Sequence, residues 1–141
     1  MKPLLRTWLS FVLVCVAFSA GGGTKEVYDV SIIRLIAAPK DYDGKMVRVV
    51  GFLNIAFEGD AIFFHEEDFR RALLNNGLGI RAKPEMRKQL EKLTGQYVLI
   101  EGVFDASLDG TAPSFSTFHL LITDITRADA WKLTPGPTPP P

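Results

Sequence analysis

Apolar side chains recur at every second position in two stretches of this chain. Val47, Val49, Leu53, Ile55 and Phe57 alternate with Arg48, Val50, Phe52, Asn54 and Ala56, and Val98, Ile100 and Phe104 alternate with Tyr97, Leu99, Glu101 and Val103. Period two marks a strand with one face turned to a core. Each stretch places a glycine on its apolar face in mid-strand, Gly51 and Gly102. A glycine there wastes packing area and costs entropy, so it signals a bulge, a bend or a close backbone approach. The two stretches belong to a longer echo, "DGKMVRVVGFLNIAFEGDA" at 43–61 and "TGQYVLIEGVFDASLDGTA" at 94–112, 51 positions apart. Two strands that turn the same corner account for it; an ancient duplication is the alternative.

The remaining pattern is helical or short. In "VSIIRLIAAPKDYDG", Ser31 suits an N-cap, Ile32, Leu35 and Ile36 share a face, and Pro39 disfavours helical geometry at Ala38. "KDYDGK" then reads as a turn into the first strand. "FEGDA" reads as a turn at Gly59, and "AIFFH" as a second strand paired back in a hairpin. "EEDFRRALLNNG" predicts a helix with acids in its first turn, Phe69 and Leu73 one turn apart, and a stop at Asn76-Gly77. "LGIRA" predicts a third strand. "KPEMRKQLEKLTG" predicts a helix that starts at Pro84, carries Met86, Leu90 and Leu93 on one stripe and closes at Gly95. "FSTFHLLITDI" predicts the last strand, and the proline-rich stretch 132–141 a disordered or extended tail.

Without its first helix and the short helix inserted after strand two, this order is β-β-β-α-β-β. That is the order of the OB-fold, a five-stranded, partly open Greek-key barrel. The expected class is therefore mainly β with helices, an OB-fold-like five-stranded Greek-key barrel over residues 27–131 with an added N-terminal helix. Gly51 and Gly102 are the expected structural bends in the first and fourth barrel strands. The rival is an open α+β sandwich.

The first residues follow a different grammar. Lys2 and Arg6 precede an apolar run from Trp8 to Phe18, and small residues follow. The run is short of the ~20 residues that span a bilayer, so 1–19 is read as a secretory signal peptide, cut after Ser19 or after Gly21. Residues 20–26 form a flexible joint. The bulky Val12, Leu13 and Val14 before Cys15 argue against a lipidation site. Cys15 is the only cysteine, so the exported protein lacks disulfides and depends on its core. Losing Lys2 and Arg6 leaves 14 basic against 16 acidic side chains, a formal charge of −2. Such a balance does not recruit polyanions over long range. The expected location is periplasmic or secreted, with no stable membrane span after cleavage.

"VSIIRLIAAPKDYDGKMVRVVGFLNIAFEGDAIFFHEEDF", with its later counterparts "LTGQYVLIEGVFDA" and "ITDITRADAW", resembles a group of small exported bacterial OB-fold-like proteins of uncharacterised function. The resemblance covers about residues 27–131. It implies the barrel and supplies no catalytic residue; function read from such a fold is analogy.

On OB-folds the outer face of the first three strands is the usual binding surface. The ligand-binding candidates there are Arg48, Phe52 and Asn54 from the first strand, Phe63 and His65 from the second and Arg81 from the third. Aromatic rings beside guanidinium groups stack on bases or sugars, at ~1–3 kcal/mol per stacked base; the alternative is a core Phe63 and solvated arginines. Val50, Phe52, Tyr97, Leu99 and Val103 make an outward apolar patch, which the N-terminal helix is expected to cover, or failing that a partner protein.

Chemistry is harder to find. His65 and His119 lie apart, "HEED" matches no zinc or calcium spacing, and neither a metal nor a cofactor is expected. No nucleophile elbow, H-E-x-x-H or phosphate loop occurs. Glu66, Glu67, Asp68, Arg70 and Arg71 could be recruited by a metal-dependent nuclease, but consecutive helical positions point around the axis and not at one point. The basic cluster Arg81, Lys83, Arg87, Lys88 and Lys92 is the best case for a single-stranded nucleic-acid binder, but Glu85 and Glu91 interrupt it. The reading favoured by these residues is an exported, non-enzymatic binding module for a protein or glycan partner.

Overall fold

The computed structural model describes residues 26–56, 59–107 and 118–132. The leader, most of the joint, the "FE" of the first turn and the proline-rich tail lie outside the described residues. The elements are β1 (Val27–Asp29), α1 (Ile32–Ala37), α2 (Pro39–Tyr42), β2 (Met46–Asn54), β3 (Ala61–Phe63), α3 (Glu66–Arg70), a 3₁₀ turn (Leu74–Asn76), β4 (Gly77–Ile80), α4 (Pro84–Leu93), β5 (Tyr97–Asp105) and β6 (Leu121–Ala130).

Five of the strands close a barrel in the order β2-β3-β4-β6-β5, with β5 returning to β2. The β4–β6 pair is parallel and the other four barrel pairings are antiparallel. This is the OB-like barrel. A sixth strand, β1, lies outside it and pairs in parallel with the start of β2, Val27 opposite Met46 and Asp29 opposite Arg48.

The echo in the sequence has a structural meaning. Gly44 and Gly95 take left-handed backbone angles, φ 70° and 77°, and turn the chain into β2 and β5. The two strands then pair antiparallel, so that Val47 faces Gly102 and Gly51 faces Val98. Both mid-strand glycines mark a close approach. A Cβ on Gly51 would lie 2.5 Å from the Phe63 carbonyl oxygen and 2.7 Å from Ile32 Cδ1, and one on Gly102 would lie 2.7 Å from both Ile122 Cγ2 and the Thr123 carbonyl oxygen. Opposite Gly102 the β5–β6 register slips, Glu101 facing Arg127 while Val103 faces Thr123. The extra β6 residues bulge where Asp124 adopts φ 41°.

The inward residues are the expected ones. Val47, Val49, Leu53, Val98, Ile100 and Phe104 are at most 1% exposed and pack with Ile62, Leu78 and Ile122. Ser31 caps α1 by accepting the Arg34 N–H at 3.2 Å, which fixes a helix whose Ile32 and Leu35 enter the same core. Leu90 of α4 joins them.

Three boundaries differ from the pattern. Pro39 ends α1 but starts a one-turn helix, α2, because its fixed φ suits a first helical position. The helix predicted to run to Asn76 stops at Arg70. Ala72 takes φ 52° there, and the Asp68 carboxylate accepts from the His65 N–H at 2.9 Å and from Asn76 Nδ2 at 2.8 Å, closing the segment into a compact loop. The last strand spans Leu121–Ala130, so His119 precedes it and the strand runs beyond the predicted end; the bulge at Asp124 carries the ladder on.

Candidate binding groove on the outer face

Residues of the β1-β2-β5-β6 surface that point away from the core form cross-strand rows. The first is ionic. Arg48 Nη1 donates to Asp29 Oδ1 at 3.1 Å, Arg48 Nε to Glu101 Oε1 at 2.7 Å, and Arg127 Nη1 to the same Glu101 oxygen at 3.3 Å. Each of these pairs is also a register pair of neighbouring strands, so the pleat itself holds opposite charges together. The hydrogen bond that Arg48 donates to Glu101, opposed by partial desolvation and aided by Asp29, raises the Arg48 pKa above the ordinary guanidinium value. The arginine side chain stays a third exposed.

One row further along lie Val50 and Leu99, again a register pair, and both are half-buried. The next row is Phe52 opposite Tyr97. Tyr97 is held from two sides: its hydroxyl accepts the Glu66 N–H at 3.1 Å and its carbonyl accepts the Trp131 N–H at 2.8 Å.

Between the ionic row and the aromatic row runs an open groove of about 800 Å³. Val50 and Leu99 line it together with Asp29, Val30 and Ser31 on one side, Phe64 and His65 at one end, and Tyr97 and Trp131 on the other side. Trp131 is 45% exposed. The Phe64 and His65 rings sit 4.1 Å apart and also line a second, smaller hollow with Ile33 and Ile36 of α1. The main groove falls within the range of ordinary ligand sites and is largely apolar, and the Arg48 guanidinium and Asp29 carboxylate in its lining belong to the ionic row.

Six residues were expected to make a ligand face, and two of them, Arg48 and His65, line this groove. Phe52 and Phe63 do lie on the outer surface of the barrel, but they are 5% and 3% exposed and offer no open stacking surface. Phe69 of α3 covers them, with ring centroids 5.7 Å from each, and Phe118 packs on Phe63 at 6.0 Å. Asn54 ends β2 beyond the Phe52–Tyr97 row and does not line the groove. Arg81 is exposed in a separate polar cleft with Lys83, Asp105 and Asp124.

The N-terminal helix does not cover the outward patch as expected. Its apolar stripe is spent inside, with Ile32 and Leu35 fully buried in the barrel core, and Val50, Tyr97 and Leu99 line the groove instead. The walls that sequence reasoning missed are Asp29, which ends the short strand "VYD", Val30 just after it, and Trp131, which continues the outward alternation of Arg127 and Asp129 past the end of β6.

The other chemical candidates are engaged elsewhere. Glu66 pairs with Arg70 at 2.7 Å and Glu67 with Arg71 at 2.6 Å, and Asp68 is bound within its loop. Among the described residues no group of three or more histidine, cysteine, aspartate or glutamate side chains is placed to hold a metal ion. Nor is any helix among them long and apolar enough to cross a membrane. In the basic cluster, Arg87 is tied to Asp60 at 3.0 Å and to Glu91. Comparison with protein-family models and with curated proteins gave no match.

Proposed function

We propose that this chain is an exported, non-enzymatic OB-like module that recognises a protein or glycan partner in the bacterial envelope or outside the cell, and that the groove over Val50 and Leu99 is its binding site. The observation that carries the reading is an open apolar groove walled by Phe64, Tyr97 and Trp131. Rigid rings above an apolar floor give contact area at low entropic cost, and Arg48 and Asp29 add directional polar groups at one end. The ionic row, with Asp129 beside it, sets three carboxylates, Asp29, Glu101 and Asp129, against the guanidinium groups of Arg48 and Arg127, which disfavours a polyanion there. The export assignment rests on the leader-like residues 1–19 and the resemblance to small exported bacterial proteins.

The test immobilises the protein without its leader beside its Leu99→Asp variant and passes envelope extract and soluble cell-wall fragments over both. Retention of a partner by the first and at least a tenfold loss with the second, about 1.4 kcal/mol, supports the reading. If neither material is retained and no resonance of Val50, Leu99 or Trp131 shifts on adding it, the reading is wrong.

A further inference from the structure

We propose that Asn76-Gly77 is a self-modifying site. While the loop 65–76 is closed, Asp68 holds the Asn76 amide; when it opens, the amide leaves as ammonia, and the carboxylate left behind keeps the loop and the Phe64–His65 wall from closing again. The chemistry needs no partner; only its consequence for a ligand rests on the groove being a binding site.

Two separate demands of the fold create this dipeptide. Among Asn54, Asn75 and Asn76, the asparagines of the chain, Asn76 is the one followed by glycine. The asparagine serves Asp68, a carboxylate only 8% exposed. Asp68 Oδ1 accepts from Asn76 Nδ2 at 2.8 Å, and Oδ2 accepts from the His65 N–H at 2.9 Å. The glycine serves β4, which starts against an aromatic ring. A Cβ on Gly77 would lie 2.9 Å from Phe63 Cδ1 and 3.0 Å from Cε1, and the Phe69 and Phe118 rings pack on Phe63 and hold it there. Glycine leaves its own nitrogen unshielded by a side chain. An asparagine next to such a nitrogen is the thermolabile arrangement.

The reaction is complete with water alone. The Gly77 nitrogen gives up its proton and bonds to Asn76 Cγ, the Cγ–Nδ2 bond breaks, and ammonia leaves with that proton. Water then opens the cyclic imide at either carbonyl, to aspartate or to isoaspartate, with no change of oxidation state. In the closed loop both reacting groups are held: Asp68 fixes the amide, and the Gly77 N–H donates to the Leu74 carbonyl. Asn76 is exposed, so local opening of 65–76 frees both groups without unfolding the barrel.

The product does not fit back. An aspartate at 76 would set its carboxylate against the Asp68 oxygen that now accepts the amide, two like charges at hydrogen-bond distance. An isoaspartate reroutes the backbone through Cγ and displaces the Asn76 carbonyl, which accepts the Phe64 N–H at 3.1 Å. Phe64 and His65, tied down by these two contacts, line the groove.

The experiment incubates the full chain in mildly alkaline buffer, folded and in urea, and locates ammonia loss by peptide mass spectrometry. Folded, Asn76 should convert about tenfold or more slowly than in urea, yet ahead of Asn54 and Asn75. Asp68→Ala should speed the folded-state conversion by about fivefold or more. The aspartate product is made directly as Asn76→Asp, which should speed hydrogen exchange at 65–76 and shift the Val50, Leu99 and Trp131 resonances. Asn75→Asp, one position earlier and equally exposed, should do neither. Equal rates in folded and urea-treated chains, an Asp68→Ala rate equal to wild type, earlier loss at Asn54 or Asn75, or an Asn76→Asp protein that behaves like Asn75→Asp would each overturn the proposal. If Asp68→Ala opens the barrel strands as well, the folded-to-urea ratio and Asn76→Asp decide. Partner retention is scored separately: its absence removes the binding reading and leaves the modification standing.

Discussion

Val49 of β2 faces Ile100 of β5, and each is the other's counterpart 51 positions along the chain. Their pair is the centre of a local two-fold relation, because the 51-residue correspondence exchanges the flanking pairs, Arg48 opposite Glu101 becoming Leu99 opposite Val50. The arrangement puts each mid-strand glycine opposite a valine of the other copy, Gly51 against Val98 and Gly102 against Val47. The bulky partners fill the inside while the glycines admit close backbone on their other flank.

Those two glycines should therefore tolerate no side chain. Gly51→Ala drives a methyl into the Phe63 carbonyl and Gly102→Ala into the Thr123 carbonyl, and neither backbone can yield without moving a strand. Overpacking of this kind costs about 1–3 kcal/mol. Urea unfolding should show both losses, while Gly59→Ala, with nothing within 4 Å of its new methyl, should stay within about 0.5 kcal/mol of wild type.

Asp68 is the one charged side chain among the described residues that is buried. Its two oxygens hold the His65 N–H and the Asn76 amide. Asp68→Ala should cost about 1–3 kcal/mol through the donors left unpaired. It should also speed hydrogen exchange at residues 65–76 ahead of the barrel strands, which native-state exchange resolves.

Phe69 shields the aromatic rings that sequence reasoning placed in solvent. Truncating it to alanine should destabilise the protein by about 1–3 kcal/mol and leave Phe52 and Phe63 open to water. Binding of a hydrophobic dye that wild type does not bind would register the change; an unchanged dye signal would show that another part of the chain covers the rings.

Tyr28 donates its hydroxyl to Glu26 at 3.0 Å, and that hydrogen bond, with the carboxylate's charge and slight desolvation, raises its pKa above the ordinary phenol value. The sign follows: a raised folded-state value contributes stability that is present below the unfolded pKa and lost as pH rises through the folded one. Tyrosinate absorbance should therefore include one phenol that ionises late, and Glu26→Gln should return it to the ordinary range.

The barrel was legible because its strands carry strict period two and its bends carry glycine. α4 was legible because Pro84, a stripe and Gly95 agree on its limits. α3 was misjudged at its end, since the apolar spacing of Phe69 and Leu73 is helical while Asp68 and Ala72 impose a loop that spacing does not record. Phe52 and Phe63 are register partners covered by Phe69, a cover the pattern could not show, because alternation gives the side of a sheet and not what packs upon it. β1 has three residues, too few for periodicity to show, and so the Asp29 wall of the groove went unseen. Trp131 stood beyond the predicted end of the last strand, Ile125, which lies just past the bulge at Asp124.

The chain reaches the barrel by way of β1, which flanks it, and leaves it after β6, and both Asp29 and Trp131 border the groove. A fluorophore attached at Asp29 or Trp131 would thus sit in the groove proposed to bind a partner. Assays meant to find a ligand are better served by a label outside its lining, for instance at exposed Lys88 of α4.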